Sequence, residues 1–117
     1  MLKPGVEVKK VIICCEKTDM RKGIDSLAAI VQLKFELDPL EVGTLFLFCG
    51  RSRDRLKGLL FEGDGFTLAY KRLTNGKFQW PQNEDEARRL TREEYERLLE
   101  GYTVDSSIKC SRRPQKS

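Results

Sequence analysis

An α+β domain, with a mainly antiparallel sheet and one longer helix packed on it, is the fold class this 117-residue chain predicts. Three features carry the expectation: a β-branched run near the start, one sustained helical stripe, and then apolar segments separated by Gly-containing turns. The first fifteen residues hold Val6, Val8, Val11, Ile12 and Ile13, whose stiff side chains suit a pleated surface. Next, Met20, Ile24, Leu27, Val31 and Phe35 recur at steps of four, three, four and four, with Ala28 and Ile30 widening the stripe. That spacing is one face of a helix. Thr18 or Asp19 is placed to cap it, and Pro39 and Gly43 close the segment.

After Gly43 the pattern changes. Residues 44–48, 56–62 and 66–73 read as strands, with Asp64-Gly65 and Asn75-Gly76 as tight turns and "KFQW" as a further short strand. Turns this close leave no room for the long crossovers of parallel strands, so the segment reads as an antiparallel meander. Residues 81–87 are a polar connection. Leu90, Tyr95, Leu98 and Leu99 then make one side of a short helix starting at about Thr91, where Thr91 and Glu94 form a capping box and Gly101 is the stop signal. Residues 1–105 are expected as one domain and 106–117 as a basic, disordered tail.

The composition, 39% hydrophobic and 34% charged, describes a soluble globular chain. No apolar run approaches the ~20 residues of a membrane span, and the start lacks a signal-peptide core, so a cytoplasmic protein is expected. Cys14 and Cys15 are adjacent, Cys49 and Cys110 stand apart, and the chain has no histidine. Zinc ligation and Ser-His or Cys-His catalysis are thereby excluded, and the thiols read as small core hydrophobes. No phosphate loop or dinucleotide fingerprint is present, so no cofactor is expected.

The charge is unevenly spread. Between Cys49 and Trp80 stand seven cations against three acids, and residues 109–117 add Lys109, Arg112, Arg113 and Lys116 with no acid. "CGRSRDRLKG" places Arg51, Arg53, Arg55 and Lys57 within seven residues, a pattern suited to phosphate contact. Lys71, Arg72 and Lys77 interleave with Phe66, Tyr70, Phe78 and Trp80, as on single-strand platforms. Phe66 and Tyr70 nevertheless share parity with Leu68 and fit a core equally well. "TDMRKGID" sets Arg21 and Lys22 at an expected helix start, where unpaired N–H groups receive anions; pairing with Asp25 and Glu16 on the surface is the alternative. Asp19, Asp25, Glu62 and Asp64 are the carboxylates a Mg²⁺-dependent nuclease would need, although Asp64 also suits a turn and Asp19 a cap.

"TDMRKGIDSLAAIV", "LFLFCGRSRDRLKGLLFEGDGF", "YKRLTNGKFQWP" and "LTREEYERLLEG" occur in one fixed order over roughly residues 18–101. Together they resemble the TnpB accessory proteins of the insertion sequence sixty-six family, which are distinct from the RNA-guided nuclease of the same name. The resemblance implies a non-catalytic protein that assists transposition, while a separate, larger transposase carries the catalytic acids. Leu60-Phe61-Glu62 stands where the family often has a Trp-Asp or Tyr-Trp-Asp stretch, which weakens a metal-ligand role at that position. The expected partners are DNA at the element ends and, alternatively, the transposase itself, docked without DNA contact. The expected polyanion surface comprises Arg21, Lys22, Arg51, Arg53, Arg55, Lys57, Lys71 and Arg72, with Trp80 as a stacking residue.

Overall fold

The computed structural model describes residues 7–81 and 86–99. Five strands, β1 (Lys10–Lys17), β2 (Thr44–Cys49), β3 (Arg55–Phe61), β4 (Phe66–Arg72) and β5 (Ala87–Leu90), form one sheet in the order β4-β3-β2-β1-β5. β1 and β2 pair in parallel, and the other three pairings are antiparallel. The α+β class with a mainly antiparallel sheet is therefore what forms. The parallel pair follows from the connection: a helical crossover returns the chain to the amino end of the next strand, whereas the short loops after β2 and β3 can only reverse it.

The crossover helix, α1 (Ile24–Ala29), continues without a break as a π-helix over Ile30–Lys34. Leu27 and Val31 are fully buried beneath it against Ile12, Cys14, Phe46, Phe48 and Leu59. Burying each such side chain stabilises by about 1.5–3 kcal/mol. The helix ends by widening: the Phe35 amide donates to Ile30 O and the Leu37 amide to Val31 O, one residue wider than the usual Schellman closure. Glu36, at φ 55°, takes the left-handed position that glycine normally fills.

The other sheet face buries Val11, Ile13, Cys15, Leu45, Leu47, Cys49, Leu56 and Leu60 under Phe78, Trp80 and Leu98 of α2 (Arg92–Leu99). Every residue of β2 is buried, as a central strand covered on both faces must be. The capping box expected at α2 forms in both directions, Thr91 N–H to Glu94 Oε1 at 2.9 Å and Glu94 N–H to Thr91 Oγ1 at 3.1 Å. The turn at Asp64-Gly65 also forms, as a four-residue loop closed by Glu62 N–H to Gly65 O, with Gly63 taking the positive φ.

Three expectations are corrected. "KFQW" contributes an isolated bridge at Gln79 rather than a strand. Residues 87–90 are a strand rather than a connection leading into a helix: Ala87-Arg88-Arg89-Leu90 pairs with Cys14 to Val11. Its brevity and two arginines hid it, since pairing with β1, not its own composition, makes it a strand. The first helix begins at Ile24, not at Asp19. The Gly101 stop signal, Cys110 and the 106–117 tail lie outside the described residues. No helix among the described residues is long and apolar enough to cross a membrane.

Candidate nucleic-acid interface

Because β1 and β2 run in parallel, the segments that leave them emerge side by side at the same end of the sheet. Crevices outside the carboxyl ends of parallel strands are where open sheets containing such strands receive ligands. The segment after β1 is Thr18 to Gly23, and the one after β2 is Gly50 to Asp54. Thr18 N–H donates to Cys49 O at 2.8 Å, joining the two exits. Gly50 packs so closely on the other segment that a Cβ there would stand 2.7 Å from Met20 Cγ.

The "TDMRK" stretch is a turn. Asp19 Oδ1 accepts the Arg21 backbone amide at 2.9 Å, while its carboxylate receives Arg21 Nε at 3.0 Å and Nη2 at 2.8 Å. The Arg21 guanidinium and then its amide hold the Asp19 carboxyl well below the usual carboxylate range. Gly23 occupies the helix N-cap with no side-chain cap bond. Arg21 and Lys22 therefore stand just before the helix N-cap rather than in its first turn, and Asp19 caps its own turn rather than the helix. The physical reason is competition: an Asx turn closed within three residues satisfies the amides that a longer helix would have recruited.

The loop from Gly50 to Asp54 is held by its backbone. Gly50 N–H donates to Arg55 O at 3.1 Å and Arg53 N–H to Gly50 O at 3.0 Å. Arg53 sits in the left-handed region at φ 64°. Its carbonyl accepts the Phe78 amide at 2.7 Å, and the Asp54 carbonyl accepts the Leu73 amide at 2.8 Å, so the 73–78 segment buttresses the loop from behind. Ser52 Oγ donates to Asp54 at 2.6 Å and lowers that carboxyl from its ordinary value.

These two segments, with β3 and β4, enclose an open groove of about 610 Å³. Four cations, Lys17, Arg21, Arg51 and Arg55, line it against one carboxylate, Asp19, and Tyr70 forms part of its wall. Lys57 joins from β3: its ammonium donates to Lys22 O at 2.9 Å and stands 5.8 Å from the Tyr70 ring centroid. Arg55 Nε is shielded from solvent with no hydrogen-bond acceptor, and its nearest acid, Asp54 Oδ1, is 3.8 Å away. Arg72 is exposed and pairs across the strands with Arg55.

Of the nine expected residues, Arg21, Arg51 and Arg55 line the groove, Lys22, Lys57 and Arg72 lie outside its lining, and the other three are held elsewhere. Lys71 points to the opposite sheet face, where its ammonium donates to Leu99 O at 2.7 Å and caps the carboxyl end of α2. Arg53 lines a separate cavity of about 30 Å³ with Cys15, Cys49 and Trp80. Trp80 is 5% exposed, its indole N–H donating to Cys14 O at 3.0 Å, so it is core and offers no stacking surface. Lys17 went unnoticed, because a single lysine at a strand end carries no local signal. Tyr70, at 51% exposure, resolves the parity ambiguity towards the surface, since β4 is the sheet edge.

The acidic residues do not assemble a metal centre: among the described residues no group of three or more Cys, Asp or Glu side chains gathers, Asp19, Asp25, Glu62 and Asp64 included. Among the described residues the thiols Cys14, Cys15 and Cys49 are all buried, which pushes Cys15 up to about 11 and Cys49 up to about 12, away from the reactive thiolate form.

Comparison with known sequences adds a family. Residues 9–109 match the family model described as IS66 Orf2 like protein. An uncharacterized protein of Sinorhizobium fredii, y4hO, is 43% identical over 101 residues, covering 86% of each chain. A second from the same organism, y4jC, is 32% identical over 92 residues, covering 79% of this chain and 78% of its own. No solved structure matches.

Proposed function

The chain belongs to the IS66 Orf2-like family, whose role is accessory to insertion-sequence transposition, and from that premise we propose that it binds DNA at the element ends without catalysing strand cleavage itself. One observation carries the reading: Lys17, Arg21, Arg51 and Arg55 converge on one groove although they come from two separate parts of the chain, residues 17–21 and 51–55. Two polar loops leading off parallel strands present them together, and a phosphate backbone needs several cations along one path. Arg55 contributes a guanidinium that is 43% exposed and only loosely paired, with Asp54 Oδ1 at 3.8 Å. Arg21 is held towards Asp19, yet its side chain is 91% exposed, so exchanging that pair for a phosphate requires no unpacking. Exposed pairs of this kind are worth little in stability.

The test is an electrophoretic shift of a duplex carrying the terminal sequences of the element, repeated at two salt concentrations. Binding should weaken with salt at a slope near −0.9 per phosphate contacted. Absence of a shift at low salt for the duplex and for its separated strands, with the purified transposase still captured by the protein, would replace this reading by the protein-adaptor one.

A further inference from the structure

Trp80 lies in the core, yet the basic groove is not without an aromatic. Tyr70 projects from β4 with half its surface exposed, and it is the one aromatic side chain in the groove wall. An exposed large ring on an edge strand gains nothing from the core. This one is kept beside cations: Arg55 and Arg51 line the same groove, and Lys57 stands 5.8 Å from the ring centroid while anchored to Lys22 O. β4 is the terminal strand of the sheet, with no strand paired beyond it among the described residues, so the groove opens sideways where an extended chain can enter. At about 610 Å³ it has the capacity of a small-molecule pocket, enough for a nucleotide.

Resting on the DNA-binding reading above, we infer that the groove takes unpaired nucleotides of a single-stranded DNA segment, a base stacking on Tyr70 while Arg51, Arg55 and Arg21 hold the flanking phosphates. The chemistry requires a flat apolar face with cations within one nucleotide's reach, and this is where the chain assembles both. Arginine adds cation–π attraction to a stacked base as well as phosphate contact.

Binding is read by fluorescence anisotropy on a labelled single-stranded oligonucleotide of the terminal sequence, and on the blunt duplex of the same sequence, for the wild type, Tyr70→Leu, Tyr70→Phe and Arg55→Ala. Tyr70→Leu should weaken single-strand binding about tenfold, with the salt slope unchanged. Tyr70→Phe should retain it, because the ring remains. Arg55→Ala should weaken both ligands and reduce the slope by about one. If Tyr70→Leu binds the single strand as the wild type does while Arg55→Ala still weakens it, the stacking inference falls and DNA binding stands. Tighter binding of the blunt duplex than of the single strand also overturns the inference. A ribo-oligonucleotide bound more tightly than the deoxy form overturns the choice of DNA. Binding of none of these ligands overturns this inference together with the reading on which it rests.

Discussion

Two open grooves lie at opposite ends of β1, and by charge alone they are equals. The carboxyl-end groove, about 610 Å³, sets Lys17, Arg21, Arg51 and Arg55 against Asp19. The amino-end groove, about 740 Å³, sets Lys9, Lys10, Arg89 and Arg92 against Glu96. What differs is how each is built. The amino-end groove has an apolar floor of Val8, Val11, Leu90, Tyr95 and Leu99, and Lys10 is already committed to Glu41 at 3.0 Å, holding that carboxyl below its ordinary value. The carboxyl-end groove is walled by two polar loops that lead off parallel strands, and its aromatic is exposed rather than part-buried. A count of cations therefore does not locate an interface. The backbone that presents them does, since Arg21 of the carboxyl-end groove is itself paired with Asp19 at 2.8 Å.

The comparison is broken most directly by paired substitutions. Arg51→Ala with Arg55→Ala should lower DNA affinity by more than tenfold at low salt and reduce the salt slope by about two. Arg89→Ala with Arg92→Ala should leave the slope where it was. A reversal of these outcomes in a salt titration moves the interface to the amino end.

Trp80 and Tyr70 sharpen the same contrast through stability. Trp80→Ala empties a buried site and strips the hydrogen bond to Cys14 O, and denaturant titration should show a loss of about 3–5 kcal/mol. Tyr70→Leu, on the exposed edge, should change stability by no more than about 0.5 kcal/mol. Gly50→Ala falls between them, at about 1–3 kcal/mol, because its Cβ displaces Met20 and with it the turn that carries Arg21. Its effect on DNA affinity measures how far the two loops act as one surface.

Smaller still is the effect of Asp19. Asp19→Asn removes the one carboxylate from the groove and releases Arg21, so DNA affinity should rise by about twofold to fivefold at low salt. A metal-dependent nuclease would instead lose activity on this change. The pH dependence has a definite sign: the folded Asp19 carboxyl is depressed by Arg21, so its contribution to stability is complete above the unfolded value of about 4 and is lost as pH falls towards the folded one. Asp19→Asn should therefore be less stable than the wild type above about pH 4 and match it at lower pH, so the difference between their denaturant titrations should vanish as pH falls.

Much of this molecule was legible in order along the chain. The β-branched start, the four-three-four stripe, the Asp64-Gly65 hairpin and the Thr91–Glu94 box each rest on contacts within a few residues, which local sequence encodes. Of the exceptions, one was decided by distant partners and the other by a local contact that competes with the helix. Residues 87–90 become a strand because Cys14 to Val11 lie alongside them. The "TDMRK" stretch becomes a turn because Asp19 closes on Arg21 and the segment must pack against Gly50.

The sequence by itself determined which segments are basic, where the main helical stripe runs, and that the chain has the signature of its family. Tertiary structure alone decided which of those cations stand together. Charge is a property of a residue, but convergence is a property of strand direction. With β1 and β2 parallel, the turn at Arg21 and the loop at Arg51 leave the sheet at the same end; had the pair been antiparallel, they would stand at opposite ends. The same sheet order leaves β4 at the edge, exposing Tyr70, and draws Trp80 into the core against β1.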